Sequence, residues 1–287
     1  MKILVVGSGG MLGTDVVSEF QSRGHELITP GLDELDITDP LSVASLSQER
    51  KADWCINCSG YTAVDLAESE EQKAAEINAL GPGYLARACA MSGTKLVHIS
   101  TDFIFDGTSN TPYTEEDRPN PLSVYARTKL AGEEAVTAAL PNSLIFRTSW
   151  LFGIHGKSFP RTILGAWKAG KSLRVVADQI GNPTHTKELA KTIADSVERD
   201  IFPGIYHATG PETMSWFDLA KLAITVCQGL ADKTGEIDIT PVGSDEWPTP
   251  AARPKFSALS NAKLLAAGIP TMRPSRESLE DFVRGLE

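Results

Sequence analysis

Residues 2–24 read KILVVGSGGMLGTDVVSEFQSRG, and they constrain the fold more than any other stretch. An apolar run passes through Gly7, Gly10 and Gly13 into a helix-forming segment that stops at Gly24. A strand entering a helix through such a loop brings backbone N–H groups and the positive helix end against a pyrophosphate, because glycine has no side chain to hold them apart. The alternation then continues. HELIT reads as a second strand, Asp39 and Pro40 cap and open a helix over DPLSVASLSQERK, and DWCINC is a third strand. A long helical stretch from about Ala67 to Ser92, the strand KLVHIS, a helix from Ser123 onward and the strand SLIFR follow. Apolar strands alternating with helices predict an α/β chain with a doubly wound parallel sheet, covered on both faces.

Strict alternation ends near Trp150. The predicted organisation is a Rossmann-type dinucleotide-binding domain over 1–150, rejoined by about 185–210 through KELAKTIADSVER and GIYHATG. Residues 151–287 mainly form a smaller, mostly helical second lobe. The net charge of −10 argues against nucleic acid or an anionic membrane surface as partner. No apolar run approaches the roughly 18 residues of a membrane span. MKILVVG runs straight into the glycine loop with no small-residue cleavage site, so it reads as a strand and the expected location is cytoplasmic. Cys55 and Cys58 form a C-x-x-C on a strand, where odd spacing points their side chains to opposite faces and out of disulfide reach. No second Cys or His pair supplies zinc ligands, so buried structural thiols are expected.

The stretch YARTK sets Tyr125 and Lys129 four positions apart, on one face of the helix that Ser123 caps. As a pattern the pair is weak, and a solvated lysine near a half-buried tyrosine is the plain alternative. Its chemistry is specific. Reducing a ketone by hydride transfer builds charge on oxygen, which needs a proton donor. Tyrosine donates near neutral pH when a cation such as Lys129 stabilises the phenolate. Thr101, ending KLVHIST, offers a hydroxyl to hold the carbonyl; a strand-end cap is its structural alternative.

Together these features resemble the extended short-chain dehydrogenase/reductase family: a strand–GxxGxxG–helix start, a Ser/Thr at a mid-chain strand end, and a Y-x-x-x-K helix. STDFIFDG, YARTKLAGE, FRTSWLFG, DQIGNPT and RPKFSAL are similar to the branch that acts on dTDP-4-keto-6-deoxy sugars, and the match runs from residue 1 to about 265. The resemblance implies reduction of the sugar C4 ketone, with NADH or NADPH as hydride donor. It implies Gly10, Met11 and Leu12 at the pyrophosphate, Asp36 and Ile37 by the adenine, and Gly60, Tyr61 and Thr62 along the cofactor. Lys129 would also bond the nicotinamide ribose. Thr101, Asp102, Tyr125 and Trp150 would face the sugar, and Arg253 would meet its diphosphate. Trp150 as core and Arg253 as a surface arginine remain the alternatives.

Two departures carry expectations. Phe256 stands where the family usually has asparagine, removing a polar contact near the nucleotide. Some members hold magnesium between subunits with glutamates; Asp15 and Lys187 occupy the corresponding positions, and a lysine would repel the ion, so no metal is expected. From His25 to Glu49 there is no lysine or arginine but Glu26, Asp33, Glu34, Asp36, Asp39 and Glu49, which predicts NADH to be used at least as well as NADPH. Stereochemistry at C4 depends on how the sugar lies, not on which residues are present. The resemblance also allows a homodimer. Two other functions suit the same fold: a non-catalytic nucleotide-binding regulatory subunit, and a sugar-nucleotide epimerase that shows no net redox. Retention of Thr101, Tyr125 and Lys129 speaks against the first.

Overall fold

The alternation becomes a sheet whose strands all run parallel. In the computed structural model, which describes residues 1–49, 51–231 and 237–286, the first part is β1 (Lys2–Val6), α1 (Met11–Ser22), β2 (Glu26–Ile28), α2 (Pro40–Glu49), β3 (Trp54–Asn57), α3 (Val64–Ala67), α4 (Glu71–Ala75), α5 (Gly81–Ser92), β4 (Lys95–Thr101), α6 (Val124–Ala139) and β5 (Leu144–Thr148). After these come β6 (Leu151–Phe152), α7 (Phe159–Lys168), β7 (Leu173–Val176), β8 (Ile180–Gly181), β9 (Thr184–His185), α8 (Thr186–Glu198), β10 (Gly204–His207), β11 (Met214–Ser215), α9 (Trp216–Leu230), β12 (Ile239–Val242), α10 (Ala262–Ala266) and α11 (Ser275–Arg284). The six-stranded sheet has the order β10-β5-β4-β3-β1-β2. The chain therefore leaves β1 toward one edge and returns to its other side at β3. That switch point opens a crevice at the carboxyl ends of β1 and β3, where ligands of open α/β sheets bind.

Two apolar layers cover the sheet. On one face α8 packs against α1, placing Leu189, Ile193 and Val197 with Val16 and Phe20 over Ile3, Val5 and Ile56. On the other, Leu85 and Cys89 of α5 and Val136 of α6 cover Leu4, Val6, Leu96 and Ile145. Cys55 belongs to the second layer and Cys58 to the first, so the pair does face opposite ways, and both thiols are free. A third cluster, with Phe152, Leu164, Leu219, Ile224, Leu279 and Phe282, forms the core among α7, α9 and α11. Short two-stranded pairings accompany these helices: β11–β8, β12–β7 and β6–β9.

Local signals act as their chemistry dictates. The Asp39 carboxylate accepts from Leu41 N at 2.9 Å and Ser123 Oγ from Ala126 N at 3.2 Å, capping α2 and α6. The stretch from Ala67 to Ser92 is not one helix, however. It breaks after α3 and passes through a π turn over Glu76–Leu80 before α5. Asn78 lies in that turn, where its side chain accepts from Tyr61 N at 2.8 Å and donates to Tyr61 O at 3.1 Å and Thr128 Oγ1 at 3.2 Å. These tertiary bonds outweigh uniform helical pairing, and π turns recur where a helix must aim a side chain. Among the described residues no helix is long and apolar enough to cross a membrane.

Candidate active site

The glycine loop is built by close approach. Gly7 has φ +76°, and a Cβ on it would lie 2.8 Å from Ser59 N, so the turn out of β1 requires glycine. A Cβ on Gly13 would run into Gly7 O, which explains the third glycine by the packing of α1 on the loop. Gly10 N donates to Gly7 O at 3.0 Å. Two cavities lie against this loop. One, of about 480 Å³, is lined by Gly7, Gly10, Leu32, Asp36, Ile37, Thr38, Gly60 and Lys73 among others. The other, of about 430 Å³, is lined by Gly10, Met11, Leu12, Gly60, Thr62, Thr101, Asp102, Tyr125, Lys129, Trp150 and Lys157 among others. They share Gly10, Cys58, Ser59 and Gly60, so an extended two-part ligand can cross from one to the other. A loop stripped of side chains, at the positive end of α1, suits the diphosphate of a dinucleotide.

Three consecutive residues of β4 tie down one face of α6. Lys129 Nζ donates to Ile99 O at 2.6 Å, the Ser100 hydroxyl donates to the Glu133 carboxylate, and Thr101 lies beside Tyr125. Glu133 is also paired with Arg147 of β5 at 2.7 Å, both side chains 3% exposed. Burial pushes the Tyr125 hydroxyl up to about 12, against the lowering effect of the Thr101 hydroxyl. Burial brings Lys129 down to about 8, opposed by the nearby Glu133 carboxylate. Asp102 is raised to about 7, again by burial, although Ser257 Oγ donates to it at 2.5 Å and Thr101 Oγ1 at 3.1 Å. Thr101 Oγ1 also accepts from Phe103 N at 3.2 Å, so the cap and the cavity wall are both its work.

Of the catalytic, cofactor and substrate residues expected from the sequence, most line the two cavities and three do not. Gly13 lies behind the loop. Tyr61 turns its hydroxyl to Glu70 at 3.0 Å, beneath Lys73, whose Nζ is 5.7 Å from the ring centroid. Arg253 spends its guanidinium on Asp65, with bonds of 3.0 and 2.8 Å. Asp36 is held by Thr38 through its backbone N at 2.8 Å and hydroxyl at 2.7 Å, bonds that lower its pKa. Phe256 packs against the cluster of Ile104, Phe105, Tyr113 and Leu259. Asp15 is buried, accepting from Thr186 Oγ1 at 2.5 Å, while Lys187 is exposed. Among the described residues no three His, Cys, Asp or Glu side chains come together to hold a metal.

Three residues at or behind the site carry no role in the sequence pattern. Glu133, behind the cavity wall on Ser100 and Arg147, was within reach of it, lying four residues beyond Lys129 and eight beyond Tyr125 on the same helical face. Lys157, in a Gly-rich loop after β6, and Lys73, on α4, carry no local signal for the cavities they line.

A family model described as the RmlD substrate binding domain matches residues 1–287. A dTDP-4-dehydrorhamnose reductase of Mycolicibacterium smegmatis is 37% identical over 99% of this chain and 86% of its own. The crystal structure of a dTDP-4-dehydrorhamnose reductase from Clostridium acetobutylicum superposes with a TM-score of 0.92 at 38% identity, covering 99% of each chain. That of the Bacillus anthracis dTDP-4-dehydrorhamnose reductase, in complex with NADP, gives 0.91 at 34% identity over 98% of each. With the match spanning the whole chain in both sequence and fold, the chain belongs to the dTDP-4-dehydrorhamnose reductase family.

Proposed function

We propose that the protein reduces the C4 ketone of dTDP-4-dehydro-6-deoxy-L-mannose to dTDP-L-rhamnose, with NADH or NADPH as reductant. The observation that carries this reading is the convergence of Thr101, Tyr125 and Lys129 on one cavity continuous with the glycine-loop cavity. The reduced nicotinamide, when bound, supplies a hydride to the sugar C4. Tyr125 supplies the proton. A phenol held at about 12 keeps its proton through the neutral range and yields it to an alkoxide, which is the stronger base. Lys129, at about 8, is mostly charged at pH 7 and stabilises the phenolate that remains. Thr101 holds the ketone oxygen toward Tyr125, and Asp102 and Trp150 flank the sugar. Gly7, Gly10, Met11, Leu12, Asp36, Ile37, Gly60 and Thr62 cradle the dinucleotide. The residues after 150 supply much of the sugar-nucleotide side, where Arg253 meets the diphosphate by exchanging Asp65 for phosphate oxygens.

Incubating the protein with the dTDP-4-keto-6-deoxy sugar and following reduced-nicotinamide absorbance tests the reading. Loss of absorbance in step with product supports reduction. Conversion of the sugar with no net loss would instead be epimerisation, and absence of any turnover would leave only binding. Light scattering tests the homodimer that the family resemblance allows.

A further inference from the structure

Trp150 lines the cavity beside Thr101, Asp102 and Tyr125, with its backbone at φ +47°. A bulky residue there is strained, and such strain persists only where the surroundings over-determine it. Two neighbours do so. The indole of Trp216 lies face to face with that of Trp150, centroids 3.5 Å apart and planes 7° from parallel, and Phe159 backs Trp216 at 4.7 Å. Gly181 leaves room for the Trp150 indole, since a Cβ there would come within 2.6 Å of its Cε2. The pairing of β11 with β8 sets Met214 opposite Gly181 and Ser215 opposite Ile180. Ser215 then caps α9 in a capping box with Asp218, so Trp216 enters at a fixed place.

The geometry points to Trp216 as a positioning residue for sugar recognition: it clamps Trp150 into a rigid apolar wall that takes the C5–C6 deoxy side of the sugar. This rests on the proposed function. The cavity is polar at Thr101, Asp102 and Tyr125 and apolar at the indole. A 4-keto-6-deoxyhexose is divided in the same way, with a ketone oxygen on C4 and a methyl on C5. A wall already ordered before binding costs the ligand no side-chain entropy.

The test compares the parent protein with Trp216→Leu, Trp216→Phe and Gly181→Ala. The readouts are kcat, KM for each substrate and the circular-dichroism couplet of the stacked indoles. Trp216→Leu is expected to abolish the couplet and raise KM for the keto sugar about tenfold or more, with kcat and the cofactor KM within about threefold. Trp216→Phe, which keeps an aromatic face, should retain a sugar KM within about threefold of the parent. Gly181→Ala, which displaces Trp150 directly, should repeat the sugar-specific rise, and it decides the matter if Trp216→Leu does not fold. An unchanged sugar KM in Trp216→Leu or Gly181→Ala overturns the inference, as does a fall in kcat with a rise in cofactor KM as large as the rise in sugar KM. A parent protein with no turnover overturns the proposed function and this inference with it; normal parent turnover with unresponsive variants overturns this inference alone.

Discussion

Tyr125 is the only proton donor the proposed mechanism uses, so its substitution is the sharpest probe at the scale of a residue. Tyr125→Phe keeps the ring that packs edge-on to Phe103 at 5.9 Å and removes the hydroxyl alone. Turnover should fall about 10²–10⁴-fold, with cofactor affinity nearly unchanged. A variant turning over within a few-fold of the parent would sink the assignment. The choice of cofactor also rests on single side chains. Lys73 supplies to the Asp36 cavity the basic group that His25–Glu49 lacks, but its Nζ is 3.2 Å from Glu70, and Asp36 and Glu76 line the same cavity. Acid outweighs base there, so kcat/KM with NADH should at least equal that with NADPH. A tenfold advantage for NADPH would mean that Lys73 leaves Glu70 for the 2′-phosphate.

At the scale of elements, the site is as rigid as the joint between α6 and the sheet. Glu133 sits at the centre of that joint, taking Ser100 of β4 and Arg147 of β5. Glu133→Ala leaves the Arg147 guanidinium buried without its counter-charge, which should cost about 3–5 kcal/mol of stability. Urea unfolding measures this, and a loss below about 1 kcal/mol would show that the joint is not anchored here. The helical face of α6 was legible in SVYARTKLAGE because both elements of the signal, the Ser123 cap and the spacing, are local. The interruption between Ala67 and Ser92 was not, because its cause is Asn78 reaching Tyr61 and Thr128, residues distant in sequence.

Over the whole molecule, acid is the expected route to unfolding. Burial lowers His98 well below its ordinary value, His185 to about 4 and His207 to about 3. Unfolded histidines bind a proton below about pH 6.5. The stability these three contribute is therefore complete above that pH and is lost as pH falls toward their folded values. Asp102 acts in the opposite sense. Its folded value near 7 lies above the unfolded one, so its contribution is present in acid and lost as pH rises through 7. His185 and His207 against Asp102 leave about one proton taken up on unfolding near pH 5, a slope of about 1.4 kcal/mol per pH unit, and His98 acts in the same direction as the other two histidines. Urea midpoints at pH 7, 6 and 5 should decline below 6.5; a level series would contradict the burial argument.

What the sequence alone determined is what neighbouring residues decide among themselves. A glycine every third position after an apolar run dictated a strand, a tight loop and a helix. Odd spacing on a strand sent Cys55 and Cys58 to opposite faces, and four-residue spacing on a helix put Tyr125 and Lys129 on one. Tertiary structure alone decided which distant groups meet. It tied Arg253 to Asp65 instead of leaving it open to the cavity, and turned the Tyr61 hydroxyl to Glu70. It carried Lys157 to the wall beside Met11 and stacked Trp216 on Trp150, 66 positions away in the chain. Local propensity is a matter of a residue and its near neighbours. Such contacts arise only when the packing of several elements brings their ends together, and no spacing along the chain encodes them.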